Sequence, residues 1–258
     1  MTIQDFRLKF IPAAAALFGL IVAPTIALAA KGSARITKSG GSICLASDGL
    51  PDHGTGRFPN RNNPHAMRAQ NIRVCVPANP QKTGHAQTLR GSIGFALNGV
   101  MIQPGTADYY DPRSPRKHSR NGNRNWKLDG MGAGRQLGLD TNNAHVDHRG
   151  LYHYHGKPTG FLSQASSSLI GFAADGFEIH YVGGAARSGY TLKPGQRDGG
   201  PGGRHDGTYV QDWRFTGGPD TLDKCNGGTF GGKFVYFLTD TYPYYPPCLW
   251  GKVERGFR

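Results

Sequence analysis

Acidic residues are scarce in this chain. Its 258 residues hold 17 Asp and Glu against 30 Lys and Arg, a formal net charge of +13. Cysteines number only four, and none form a Cys-x-x-Cys pair, which excludes a thiolate zinc knuckle and a dithiol redox motif. Beyond the first thirty residues no apolar run is long enough to cross a bilayer, and strong helix formers are sparse. There is no Gly-x-Ser-x-Gly nucleophile elbow. The glycines of Gly130-Met131-Gly132-Ala133-Gly134 lack the preceding strand and following helix of a dinucleotide loop. No two acids stand out as a glycosidase couple. The positive charge comes without a helix-turn-helix, zinc-finger or RNA-binding signature, so specific nucleic-acid recognition is not indicated, and nucleic-acid cleavage is expected to be absent.

Turn formers and aromatics are abundant: 39 Gly, 17 Pro, 11 Tyr and 13 Phe. Strand-like runs at 93–97, 152–155, 177–182, 209–215 and 234–239 alternate with Gly, Asn, Asp and Pro clusters. The expectation is a mostly β, turn-rich, antiparallel sandwich-like single domain. One short helix is expected at most, over Ser163 to Phe172. Residues 30–90 read as an N-terminal β extension of the same domain, and 91–258 as its main body. No internal repeat is present, and roughly 230 residues suffice for one sizeable core.

The N-terminus has the grammar of a secretory signal peptide. Arg7 and Lys9 precede an apolar stretch from Phe10 to Ala23, Pro24 breaks it, and Ala27-Leu28-Ala29 supplies a small-x-small cleavage site. Residues 1–29 are therefore expected to be removed, leaving a periplasmic or secreted chain with no transmembrane segment. The leader carries Arg7, Lys9 and Asp5, a net +1, so the remainder is +12. In an oxidising compartment Cys44, Cys75, Cys225 and Cys248 should pair. Three connectivities are open. Cys44–Cys75 with Cys225–Cys248 is favoured because each pair brackets a loop-rich segment, and each bond would stabilise the fold by about 3–4 kcal/mol.

The chemistry concentrates between Asn143 and Gly156, where His145, His148, His153 and His155 place four of the ten histidines in eleven residues. On a strand, the Tyr152-His153-Tyr154-His155 alternation puts both imidazoles on one face and both phenols on the other. The two histidine Cα atoms would lie roughly 7 Å apart, close enough to share an ion. A turn at Gly150-Leu151 could return His145 as a third nitrogen. Neutral imidazoles suit copper or zinc at about 2.0–2.1 Å. The tyrosines would then face the core. Read without a metal, the same histidines would satisfy backbone groups in a tight core, or the strand would be inverted, with the phenols at the cavity.

Asp175 sits in a turn between two apolar runs. It is a candidate general base or imidazole-orienting acid, and equally an Asx-turn builder. Asp223 and Asn226 flank Cys225 and read as turn builders, since their spacing is not that of a calcium loop. The densest basic run, Arg113, Arg116, Lys117, Arg120 and Arg124, reads as a solvated loop. Its sharper role would be contact with an anionic envelope polymer.

The chain resembles the secreted bacterial YHYH-domain family. The resemblance rests on Leu97-Asn98-Gly99-Val100, Gly138-Leu139-Asp140-x-Asn142-Asn143-Ala144-His145-Val146 and Gly150-x-Tyr152-His153-Tyr154-His155-Gly156-x-Pro158-x-Gly160. It continues through Leu169-Ile170-Gly171-Phe172-Ala173-Ala174-Asp175-Gly176-Phe177, Asp206-Gly207-Thr208-Tyr209-Val210-Gln211-Asp212, Leu222-Asp223-x-Cys225-Asn226-Gly227 and Cys248-x-x-Gly251. It covers roughly residue 90 to the C-terminus and implies a shared fold and site, with no particular reaction. The shared Cys225 and Cys248 imply their mutual pairing. Two departures stand out. Asp147 lies where the family keeps no acid, which argues against it as a ligand. Glu178-Ile179-His180 replaces the usual Pro-Ile-Tyr.

Taken together, these features point first to an exported protein that holds copper or zinc on His145, His153 and His155. A metal-dependent hydrolase or copper oxidase at the same site is the first alternative. A non-catalytic glycan- or polyanion-binding module is the second.

Overall fold

The computed structural model describes residues 32–257. The leader, with its cleavage site at Ala29, lies outside the described residues. None of the described helices is long and apolar enough to span a membrane.

In chain order, β1 (Ala34–Ser39), β2 (Ser42–Ser47) and β3 (Ile72–Pro77) form a three-stranded antiparallel sheet. Gly40 and Gly41, both at positive φ, make the two-residue turn that suits the strand twist between β1 and β2. Cys44 and Cys75 face each other across β2 and β3 and are bonded. Ile43 and Leu45 of β2 alternate inward and, with Val76, join the main core. Next, β4 (Lys82–Gln87) pairs with the last strand, β18 (Leu249–Gly251), in a separate two-stranded sheet.

The centre is an eight-stranded sheet drawn from β5 (Gly94–Ala96), β6 (Met101–Ile102), β10 (Ala144–Val146), β11 (Tyr152–Tyr154), β12 (Leu169–Ala173), β13 (Glu178–Tyr181), β16 (Gly227–Phe230) and β17 (Lys233–Leu238). Its order is β10-β11-β6-β5-β12-β13-β17-β16. Most pairings are antiparallel; β11–β6 and β13–β17 are parallel. Around it lie the β7 (Gly105–Tyr110), β8 (His118–Ser119) and β9 (Asn123–Asp129) sheet and the small β14 (Tyr190–Leu192) and β15 (Trp213–Phe215) hairpin. Helix is confined to short pieces, including α1 (Gly134–Leu137) and α2 (Thr159–Leu162). The fold is mostly β, with two disulfides, Cys44–Cys75 and Cys225–Cys248.

Two local expectations change. The helix expected over Ser163 to Phe172 does not form: α2 ends at Leu162, and Leu169–Ala173 is a strand. Its Ile170 and Phe172 are buried between β5 and β13, so sheet pairing overrides the local pattern. The run 209–215 is a strand only from Trp213. Before it, Asp212 takes the backbone N–H groups of Gly207 and Tyr209 and the Arg197 guanidinium on one buried carboxylate, which fixes a 3₁₀ turn instead.

Candidate metal centre

The site is built by one hairpin. Asp147 Oδ1 accepts from the N–H groups of Arg149 and Leu151, and Gly150 completes the turn at φ +89°. This fixes the register of β10 against β11: His145 stands directly opposite His153, and His155 follows two residues on, on the same face. Tyr152 and Tyr154 take the other face, fully buried. Tyr152 Oη donates to Asp140, and Tyr154 Oη meets His53 Nε2 at 2.6 Å and receives Asn98 Nδ2 at 2.9 Å. Packing of the phenols thus locks the orientation of the histidines.

Each imidazole has its second nitrogen engaged. Nδ1 of His145 faces the Leu137 carbonyl at 2.8 Å, that of His153 the Leu151 carbonyl at 3.1 Å, and that of His155 the Pro104 carbonyl at 3.3 Å. A carbonyl only accepts, so in the neutral rings each Nδ1 carries the proton and each Nε2 presents a bare lone pair. The small Leu128–Ala133–Leu137–Tyr209 cluster steadies α1 and with it the Leu137 carbonyl. The three Nε2 atoms converge: His155 lies 3.0 Å from His153 and 3.1 Å from His145. One nitrogen from each of the three residues can be chosen so that all lie within 4.8 Å of one another.

Burial keeps the rings neutral. His153 is 3% exposed and His155 2%. Desolvation, reinforced by the neighbouring His145, pushes His153 down to about 3. The same causes hold His155 well below the ordinary histidine value, and burial also lowers His145.

The triad forms part of the wall of an open cavity of about 340 Å³. Asp108 of β7 lines the same cavity, with Arg116, Arg120, His65, His148 and Arg149. His118 Nδ1, 2.8 Å away, and the charges of Arg116 and Arg120 hold the Asp108 carboxyl below the usual carboxylate range. Asp108 was not singled out by the sequence because it sits in an ordinary Ala-Asp-Tyr-Tyr strand and reaches the site only through the β7–β9 sheet.

The other sequence candidates divide. Asp175 is not among the residues lining this cavity. Its carboxylate is consumed elsewhere, accepting from Tyr236 Oη and Gly251 N at 2.8 Å each. Burial nonetheless raises its pKa. Of the basic run, only Arg116 and Arg120 line the cavity. Arg113 pairs with Asp111, Lys117 donates to the Pro112 carbonyl, and Arg124 lies over the Tyr109 ring. Asp223 Oδ1 accepts from the N–H groups of Cys225 and Gly227, and its Oδ2 accepts from the Trp250 indole. Glu178 and His180 bond to one another, with Ser168 on the other ring nitrogen and Phe230 against the ring.

Residues 73–251 match the sequence model of a family described as YHYH protein. The match begins within β3, upstream of the expected start near residue 90, and includes Cys75 but not its partner Cys44. No curated protein matches the chain, and no solved structure does.

Proposed function

We propose that this chain, which belongs to the YHYH protein family, is an exported protein that holds one copper or zinc ion on His145, His153 and His155. The observation that carries the reading is the convergence of three Nε2 atoms on rings whose Nδ1–H groups are already given to backbone carbonyls. Three Nε2 lone pairs meet with no hydrogen between them, two on buried rings and that of His145 on a half-buried one, an arrangement that repels itself unless a cation sits at the focus. The backbone carbonyls on the Nδ1 side are the partners that metal-bound imidazoles commonly have. Ligands at about 2.0–2.1 Å from a tetrahedral ion stand roughly 3.3–3.4 Å apart, so the His155–His153 and His155–His145 pairs would need only a few tenths of an ångström of opening. Neutral imidazole favours zinc and copper over calcium or magnesium.

Export is supported by the signal-peptide pattern and by two disulfides with no free cysteine among the described residues. We also take residues 30–90 as part of the same folding unit, since Ile43, Leu45 and Val76 contribute to the main core.

The test is elemental analysis of the mature, untagged protein from an oxidising compartment, beside His153→Ala/His155→Ala. About one equivalent of copper or zinc in the parent and none in the variant is expected. An empty parent after supplementation with both metals would sink the reading.

A second reading, a metal-dependent enzyme, is favoured by one feature: the triad opens onto a cavity rather than being closed by a fourth protein ligand. The surface-module reading has less support. Among the described residues the exposed large apolar side chains are Leu192, Phe215 and Phe230, none of them on the basic run.

A further inference from the structure

The basic run does not behave as one surface. Arg113, Lys117 and Arg124 are engaged by Asp111, the Pro112 carbonyl and Tyr109. Arg149, also at the cavity, is held by Asp147 through Nε and Nη2. Arg116 and Arg120 differ: both are exposed, both line the histidine cavity, and neither has a carboxylate within 4 Å among the described residues. Among the described residues, the Arg120 guanidinium hydrogen-bonds to His148 Nδ1, at 3.3 Å. The nearby acid, Asp108, is taken up by His118. Two exposed guanidinium groups with no carboxylate in ion-pair reach among the described residues therefore border a cavity that the three imidazoles also line.

We infer that this cavity seats a phosphoryl group, free or esterified, between Arg116, Arg120 and the metal position. The inference rests on the metal reading, because the ion supplies the third contact. A guanidinium presents paired donors that match phosphate oxygens. A terminal phosphoryl group offers three oxygens, enough for both arginines and the ion position at once; a carboxylate offers two. The cavity of about 340 Å³ exceeds a single phosphate, leaving room for part of an ester. Asp108, on the same wall, repels a fully charged anion that strays from the arginines and so contributes to its placement.

The experiment is calorimetric titration of the metal-supplemented full mature protein with inorganic phosphate, phenyl phosphate and a short single-stranded oligonucleotide, each against a chloride blank. Metal content is measured on the same samples. Phosphate or phenyl phosphate should bind, and Arg116→Ala/Arg120→Ala should weaken binding roughly tenfold or more with metal content unchanged. Arg113→Ala/Arg124→Ala removes the same charge from the same run outside the cavity and should leave affinity within about twofold. Preference for the oligonucleotide would assign the phosphoryl group to a polymer, and preference for phenyl phosphate to a small ester. Binding of none of the three above chloride, or equal weakening by both double variants, overturns the inference. Retained metal without phosphate binding removes this inference alone. Arginine-dependent phosphate binding in a parent that takes up no metal removes the metal reading and, with it, the ion as the third contact, and overturns the three-point seat inferred here.

Discussion

Nε2 of His155 lies 3.0 Å from Nε2 of His153, while the Nδ1 of each ring is turned to a backbone carbonyl. A neutral pair hydrogen-bonded through Nε2 would need one ring to carry its proton there, leaving a bare Nδ1 against the carbonyl it faces, and an extra shared proton would charge a pair that burial keeps neutral. The pair is better described as two acceptors held together by the fold, with His145 as a third.

The first prediction follows from that frustration. A cation at the focus binds the folded state alone, so it stabilises the protein by mass action. At a free metal concentration of about one hundred times the dissociation constant, the gain is about 2.7 kcal/mol. For a chain of this length that corresponds to a melting temperature raised by about 5–10 °C. Thermal melts with and without copper or zinc measure it, with chelator as the reversal. The His153→Ala/His155→Ala variant should show no shift, and a parent whose melting is indifferent to both metals would contradict the reading.

Gly130 gives a second prediction, because its position leaves no room for a side chain. A Cβ there would press on Nδ1 of His155 and would approach the Pro104 carbonyl oxygen to 2.7 Å. These are the two partners of the hydrogen bond that sets the His155 tautomer. Gly130→Ala should therefore destabilise by about 1–3 kcal/mol. It should also lower metal occupancy, whereas Gly54→Ala, where a Cβ meets nothing within 4 Å, should change neither. Unchanged metal content in a destabilised Gly130→Ala protein would mean that His155 is not a ligand.

The contrast between these residues and those around them shows what the chain's local pattern can reveal. The face shared by His153 and His155 is legible because strand alternation is local. The return of His145 is legible because Asp147 and Gly150 write their own turn. Asp108 was beyond reach, and Arg116 and Arg120 were legible only as members of the basic run. Their place at the site depends on how the β7–β9 sheet folds beside the hairpin, and no spacing in the sequence encodes that contact. The same reason explains the strand at Leu169–Ala173, whose apolar run reads as helix until β5 and β13 are beside it. The disulfide pairings were accessible because each pair brackets a loop-rich segment, and both bonds form.

A third prediction concerns pH. Burial pushes the Asp129 carboxyl up to about 6 from 3.8, against the pull of the Gly130, Met131 and Gly132 N–H groups. The folded state thus binds a proton more tightly than the unfolded state does. The resulting cost is absent below about pH 4, grows as pH rises to about 6, and is complete above that, at about 3 kcal/mol. Asp129→Asn keeps a carbonyl oxygen for the Met131 and Gly132 N–H groups but carries no charge. Its stability relative to the parent should rise by about 2–3 kcal/mol between pH 4 and pH 7 in denaturant titrations. A parent–variant difference that is flat across that range would show that the folded carboxyl is not shifted.

The last prediction separates Asp175 from the histidines. Its Oδ2 receives the Tyr236 hydroxyl and the Gly251 N–H at 2.8 Å each, which joins the β12–β13 turn to β17 and to the C-terminal strand β18. Asp175→Ala strands both donors in a buried setting, and each unmet donor costs about 1–3 kcal/mol. The variant should therefore lose about 2–4 kcal/mol of stability in denaturant titrations. Asp175→Asn, which retains one oxygen, should recover part of that loss. Neither should alter metal stoichiometry, since the carboxylate is not on the wall of the histidine cavity. If instead Asp175→Asn folds with parental stability but loses its metal, Asp175 orients the triad, and the assignment of this acid to the scaffold is wrong.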